Sequence, residues 1–375
     1  MNTLAYFTQG IMALTWQSLV MYLTGGLLIF LAVKKNYEPM LLLPIGFGAI
    51  LVNLPLQFVW QNEGVAGPLK VLFESGIMTE LFPLLIFVGV GAMIDFRPLL
   101  TRPWMLAFGI VAHTGIFAAA FVAHKFFGFS FKEALSIGSI GAADGPTAIF
   151  VASRFAPNLL GAITVVSYSY MSLVPVIMPP VIRMLTTKKE RCIRTTGREK
   201  EIPRWLAIAF PVLVTIAVSI LVPVASPLIG FLMFGNLIRE CGVLAKLSAC
   251  AQNELSSIIT LLLGITVGAT MGAETFLRPQ TLTILLLGLF AFVADIAAGL
   301  LFAKFLNLFL KNKINPMLGA CGISAFPMAS RVVQKIALED DDQNFILMHA
   351  VSANVSGQIG SIIIGGILLS LGMAA

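Results

Sequence analysis

An aspartate followed by glycine and proline, Asp144-Gly145-Pro146, lies inside an otherwise apolar stretch running from Ala134 to Ser153. An ionisable carboxylate at membrane depth is costly and marks a functional site by default. Gly-Pro beside it removes a helical N–H and loosens the backbone, which frees carbonyl oxygens as ligands. A second interrupted stretch, Asn315-Pro316 to Arg331, carries Gly319, Gly322, Ser324 and Pro327. Its serine and asparagine oxygens, with carbonyls freed around Pro327, suit a hard cation, and Asp144 supplies the negative charge that neutral ligands lack. One carboxylate among neutral oxygens fits a monovalent ion better than Ca²⁺, whose sites usually gather several carboxylates. Sodium or a proton is the cargo this chemistry points to. Pairing of Asp144 with Arg154 or Arg331 is the competing structural reading.

Each interrupted stretch is followed by a polar-studded apolar run, Ser167-Tyr168-Ser169-Tyr170 in one case and His349 to Gln358 in the other. Asn354 and Gln358, four apart, share one helical face, and such a face in an apolar protein points inward. Tyr170 reads as a hydroxyl ligand or proton-relay member, and Tyr168 equally as an interfacial anchor. Arg331 is either a bidentate clamp for an anionic substrate or an end-of-span anchor. Asp95, Glu254, Glu274 and Asp295 are expected near span ends, where solvated carboxylates are ordinary. His113 and His349 read as satisfied core polar residues. Glu339 to Asp342 reads as a solvated loop, since adjacent acids do not converge on one ion.

The elements that must position these groups follow from composition. Of 375 residues, 58% are hydrophobic and 11% charged, with a mean hydropathy of +0.94; a soluble chain carries roughly a quarter charged residues. The fold class is an all-α polytopic membrane protein embedded in the lipid bilayer, and at about 20 residues per span it has room for roughly ten to twelve spans. The apolar runs include 132–154, 281–308 and 316–335 as spans, with 40–58 and 225–240 the shortest. The net charge of +6 is no mark of nucleic-acid binding, because seven basic residues fall between Lys188 and Arg204. The positive-inside rule makes that segment a cytoplasmic loop. Four cysteines without CxxC spacing are isolated thiols,. Residues 1–17 are expected to form an interfacial segment.

The halves on either side of the basic loop echo each other. Arg97-Pro98 and Arg278-Pro279 are offset by 181 positions, as are Pro146 and Pro327, and Asn53 and Asn236 are offset by 183. Near-constant offsets predict an internal repeat, with membrane repeats at 18–186 and 205–375 flanking a loop at 187–204. Paired halves, each with one Gly/Pro-interrupted helix, point to a site at the repeat interface. Six spans per half would make the repeats parallel; an inverted pair requires one of the short runs to be re-entrant or merged.

The runs Gly141 to Phe150, Tyr168 to Pro175, Asn315 to Lys335 and His349 to Ile359 resemble the membrane β subunit of the biotin-dependent, sodium-translocating decarboxylases, over about residues 18 to 372. That family serves oxaloacetate, methylmalonyl-CoA, glutaconyl-CoA and malonate decarboxylases. The resemblance implies a carboxybiotin decarboxylase of the bacterial cytoplasmic membrane that exports Na⁺ and consumes a proton. It implies as partners a biotin carrier subunit, a carboxyltransferase α subunit and a small membrane-anchoring subunit, with a homo-oligomer inside the complex. The family's coupling acid falls on Asp144 and its tyrosine on Tyr170, with Tyr168 an alternative register. Its second-half ion residues fall on Asn315, Gly319, Ser324 and Asn354, and its arginine, a candidate for carboxybiotin, on Arg331. The outline is also similar to the cation–proton antiporter and bile-acid symporter architecture. A secondary transporter, either a Na⁺/H⁺ antiporter or a Na⁺–solute symporter, is the alternative function.

Overall fold

A computed structural model describes residues 9–35, 39–62, 64–195 and 201–374. The expected interfacial segment lies partly outside the described residues, at 1–8, and so do residues 196–200 of the basic loop. The first half contains α1 (Trp16–Lys35), α2 (Pro39–Val52), α3 (Pro68–Leu72), α4 (Leu81–Met93), α5 (Leu106–Val111), α6 (Thr114–Phe127), α7 (Phe131–Gly138), α8 (Gly145–Phe155) and α9 (Leu160–Leu185). After the short α10 (Lys188–Arg191), the second half contains α11 (Arg204–Leu221), α12 (Ser226–Glu240), α13 (Ala245–Cys250), α14 (Ser256–Ala269) and α15 (Pro279–Phe309). It closes with α16 (Met317–Ala320), α17 (Met328–Asp340) and α18 (Leu347–Ala374). A two-residue ribbon pairs Gln61–Asn62 with Val65–Ala66.

Among the described residues, six helical stretches are long and apolar enough to cross a bilayer, or eight if each of two bent pairs is one span. One bent pair is α9, which turns by 64° between Met171 and Leu173. Pro175 lies four residues after Met171, so it has no N–H to give that carbonyl and its ring crowds it.

The shorter α2 and α12 are held by close backbone contact. Helix α2 packs on α14, and α4 on α12. A Cβ on Gly268 would come 2.1 Å from the Ile45 carbonyl oxygen, and one on Gly91 would come 1.8 Å from that of Leu232. Small residues are how helices approach where lipid removes the hydrophobic drive to associate. The Asn53 amide donates to the Met271 carbonyl at 2.8 Å, and the Asn236 amide to that of Ile94 at 2.9 Å. Each asparagine thus satisfies a carbonyl at the end of its partner helix, four residues past Val267 and Val90 of the matching runs Val267-Gly268-Ala269 and Val90-Gly91-Ala92.

The two interrupted stretches do not cross from one side to the other. Lys132, at the start of the first, lies 5.9 Å over the ring of Phe155 at its end. Glu133 and Pro157 line the same large cavity. In the second, Asn315 donates to the Arg191 carbonyl at 2.7 Å while Asp340 pairs with the Arg191 guanidinium at 2.6 Å. Both stretches are therefore re-entrant hairpins, which corrects the expectation of spans at 132–154 and 316–335. The reason is length: the 11 residues of α8 reach about 16 Å at 1.5 Å per residue, well short of the ~30 Å hydrocarbon layer.

Three other expectations are corrected. The run Glu339 to Asp342 is not simply solvated, because Glu339, Asp340 and Asp341 pair with Arg183, Arg191 and Arg194 at 2.7, 2.6 and 2.8 Å. Asp295 is not at a span end; it sits mid-way along α15 with 0% exposure. His113 is equally buried and its Nδ1 pairs with the Gly109 carbonyl, as a core residue should, but its Nε2 has no hydrogen-bond partner among the described residues.

Candidate functional site

The first hairpin begins with a capping box. Ser130 accepts from the Glu133 N–H, and the Glu133 carboxylate accepts in return from Ser130. After α7 the chain tightens into a 3₁₀ turn at Ser139–Ala142, and then Ala143 takes a left-handed conformation (φ 51°) and Asp144 an extended one. Helix α8 starts at Gly145. Pro146 thus sits in a first turn, where a missing N–H costs nothing. The interruption is made by Ala143 and Asp144, not by the proline expected to make it.

The second hairpin breaks between Cys321 and Pro327. The Ser324 N–H donates to the Ala142 carbonyl at 3.1 Å, so the breaks of the two hairpins close on each other by a backbone bond. Around that junction the side chains form a chain of hydroxyls. Thr147 Oγ1 donates to Asp144 Oδ2 at 2.6 Å, and Ser361 Oγ donates to the same oxygen at 3.0 Å. Ser324 Oγ lies 2.8 Å from Ser361 Oγ. Gln358 Nε2 donates to the Ser324 carbonyl. Asp144 is 6% exposed and Ser361 0%. The competing ion-pair reading fails: Arg154 binds Glu80, with Nε at 2.6 Å from Oε1, and Asp144 accepts instead from the Thr147 and Ser361 hydroxyls.

The remaining expected residues are distributed unevenly. Asn354 borders the second break, where its amide donates to the Ile323 carbonyl at 2.8 Å, while its buried Oδ1 has no hydrogen-bond partner among the described residues and remains an open acceptor. Tyr168 presses its ring on Gly145, next to Asp144; a Cβ there would come 2.1 Å from the ring. Tyr170 instead donates its hydroxyl to the Leu285 carbonyl at 2.5 Å and stacks on Phe292. Gly319 packs backbone to backbone on Gly299 of α15. Asn315 is not at the junction. Its amide holds the Arg191 and Ile193 carbonyls, and its Oδ1 accepts from the Met317 N–H.

Arg331 stands exposed in the first turn of α17, lining a cavity of about 460 Å³ with Gln334, Lys335, Leu338, Glu339 and Leu347. From Arg331 to Glu339 the cavity follows α17 for roughly 12 Å, at 1.5 Å per residue, toward the side bearing the basic loop. Sequence reasoning missed Thr147 and Ser361. The signal for both was spacing: Thr147 is one turn past Asp144, and Ser361 is two turns past Asn354 on the same face.

Two re-entrant hairpins meeting over a buried carboxylate, with a basic cavity opening toward the loop side, define a membrane ion-translocating protein. Residues 17–372 match the family described as Na⁺-transporting oxaloacetate decarboxylase beta subunit. The chain is 45% identical to methylmalonyl-CoA decarboxylase subunit beta of Propionigenium modestum, over 98% of each chain. It is 46% identical to glutaconyl-CoA decarboxylase subunit beta of Acidaminococcus fermentans, over 96% of this chain and 95% of that one. It is 42% identical to the oxaloacetate decarboxylase beta chain of Klebsiella pneumoniae, over 97% of each. The chain belongs to this family of β subunits of sodium-translocating decarboxylases. It is a multi-pass bacterial membrane protein in which decarboxylation is coupled to sodium export, and it works as one subunit of a larger complex. The alternative of an independent secondary transporter is not favoured.

Proposed function

We propose that this chain decarboxylates carboxybiotin presented by a separate biotin carrier subunit, and that Asp144, Ser324 and Asn354 bind the exported Na⁺. The observation that carries the reading is the hydroxyl chain Ser324–Ser361–Asp144 at the crossing of the two hairpins. A buried carboxylate beside neutral oxygens holds a sodium ion or a proton but not both comfortably, so each displaces the other. That exclusion links proton consumption to ion movement. Tyr168 and Tyr170 are the neighbouring hydroxyls able to share the proton, and the contact of Tyr168 with Gly145 favours its register.

Arg331, with Lys335 beside it, supports an anion-binding role for the open cavity, where a guanidinium matches a carboxylate in bidentate fashion. Carboxybiotin brings the labile carboxyl group; this chain's part is to hold its charge and deliver a proton. Asn315 and Gly319 enter the reading as supports of the second hairpin. A carboxyltransferase α subunit and a small membrane-anchoring subunit complete the complex, with further copies of this chain. The acid consumed belongs to the carboxyltransferase partner, in keeping with relatives named for three different substrates.

The reciprocal packing of α2 on α14 and α4 on α12 supports two inverted repeats, 18–186 and 205–375; adding the short α2 and α12 to the eight longer crossings gives five spans and one hairpin each. The parity that seemed to demand parallel repeats disappears once the interrupted stretches are re-entrant.

The test is the assembled complex in proteoliposomes, measured for avidin-sensitive decarboxylation and ²²Na⁺ uptake. Asp144→Asn should abolish both. Sodium-dependent decarboxylation and uptake at the parent rate in that variant would sink the assignment.

A further inference from the structure

Asp295 lies outside the site just described, and nothing in the mechanism uses it. It is fully buried on α15; among the described residues no side chain donates to either oxygen and no ion pair reaches it. Its carboxylate occupies the space that side chains would take at two glycines. A Cβ on Gly115 would come 2.6 Å from Oδ1, and one on Gly141 would come 2.6 Å from Oδ2. Gly115 belongs to the first turn of α6, whose Gly115 and Ile116 N–H groups face the carboxylate. Gly141 belongs to the 3₁₀ turn three residues before Asp144. The carboxylate therefore fills the junction between a mid-membrane helix start and the back of the first hairpin.

Its place on α15 is regular. Gly288 faces the ring of Tyr170, Phe292 stacks on that ring, Asp295 meets Gly141, and Gly299 meets Gly319. Spacings of four, three and four put all of them on one stripe of the helix, which backs both hairpins. Asp295 is the ionisable member of that stripe. A buried carboxylate with no side-chain partner calls for an explanation, and a bound ion is one of the standard ones; an intramembrane acid is functional by default.

We propose that Asp295 is a second carboxylate of the cation path, accepting a monovalent cation, Na⁺ or H⁺, behind the first hairpin. The helix start tempers the charge of the empty carboxylate, and a cation fills the oxygens that the protein leaves open. The other titratable groups on the packed elements include His113 at the α6 start and Tyr168, Tyr170 and Arg183 on α9, with Arg183 paired to Glu339. Lys132, His124 and Lys125 stand exposed and Glu133 half-buried at the far ends of α7 and α6, and Lys304 pairs with Glu190. The inference rests on the sodium-translocating function and not on the assignment of Asp144.

The experiment is carbodiimide labelling of the assembled complex carrying Asp144→Asn, which removes that residue's own reactivity, with the modified peptide located by mass spectrometry. Labelling of Asp295 that Na⁺ suppresses identifies a sodium site. Labelling that falls with rising pH and ignores Na⁺ identifies a proton site. No labelling at Asp295 in either series overturns the proposal. A second measurement uses Asp295→Asn with the native Asp144. Fewer sodium ions per CO₂ released, or a displaced pH–rate profile, with recovery in Asp295→Glu, supports it. A lower rate with sodium ratio, Na⁺ cooperativity and pH profile all unchanged marks a packing residue only, and refutes it.

Discussion

Replacing Ser361 by alanine isolates one link of the hydroxyl chain. The Ser361 hydroxyl has a single proton, for which the Asp144 carboxylate at 3.0 Å and the Gln358 carbonyl at 3.1 Å are acceptors, and its oxygen lies 2.8 Å from that of Ser324. Alanine deletes these contacts while changing little volume, and Ser324 keeps the Gly357 carbonyl as an acceptor at 3.3 Å. A hydrogen bond to a charged group contributes about 1.5–3 kcal/mol. At roughly 1.4 kcal/mol per decade, its loss should raise the half-saturating Na⁺ concentration by about 10- to 100-fold. The assay is Na⁺-activated decarboxylation by the assembled complex over a wide Na⁺ range, at fixed pH. Ser361→Thr retains the hydroxyl and should stay near the parent value. A half-saturating concentration for Ser361→Ala within about twofold of the parent, a difference of about 0.4 kcal/mol, would refute the reasoning. The hydroxyl chain would then be packing and not part of the ion site.

Arg331→Lys keeps the charge but loses the bidentate fork, so decarboxylation should fall sharply while sodium binding, followed by protection against carbodiimide, holds. Gly91→Ala puts a Cβ 1.8 Å from the Leu232 carbonyl oxygen and should cost about 1–3 kcal/mol by overpacking, read as a lower melting temperature in detergent. Gly230→Ala, with open space around it, is the neutral control. The Arg194 guanidinium and the Gln343 N–H, both donating to Asp341, hold its carboxyl below the usual range. Because the folded value is depressed, the stabilisation is present above the ordinary carboxylate pKa of about 3.9 and is lost as pH falls through the folded value. Asp341→Asn should therefore melt lower than the parent at neutral pH, and the gap should close in acid.

Much of the site was legible because it depends on residue type. A lone acid in an apolar run, a second broken run and a row of serines and asparagines carry their chemistry wherever the chain takes them. Geometry was less legible, for physical reasons. A hairpin and a kinked span share the same composition, and only the partners of Lys132 and Arg191 distinguish them. Asp295 falls at the middle of the run 281–308, so the span-end reading was at odds with the sequence itself; what the sequence does not show is that α6 starts beside it. Asn315 looked like a ligand by its type, yet the carbonyls of the basic loop claim its amide. Ser361 was overlooked because a serine in a Gly/Ile-rich helix has no local signature; its meaning comes from an aspartate 217 residues earlier.

That separation has a consequence for how the protein is made. Asp144 is synthesised long before the hydroxyl of Ser361, and the Ala142 carbonyl long before the N–H of Ser324. At roughly 5–20 residues per second, the 217 residues between Asp144 and Ser361 take about 10–40 s to emerge. Throughout that interval the tip of the first hairpin has Thr147 as its own donor but nothing from the second half. The nascent half must therefore keep a charged tip at the membrane surface, or shielded by the insertion machinery, until the final helix arrives to draw it in.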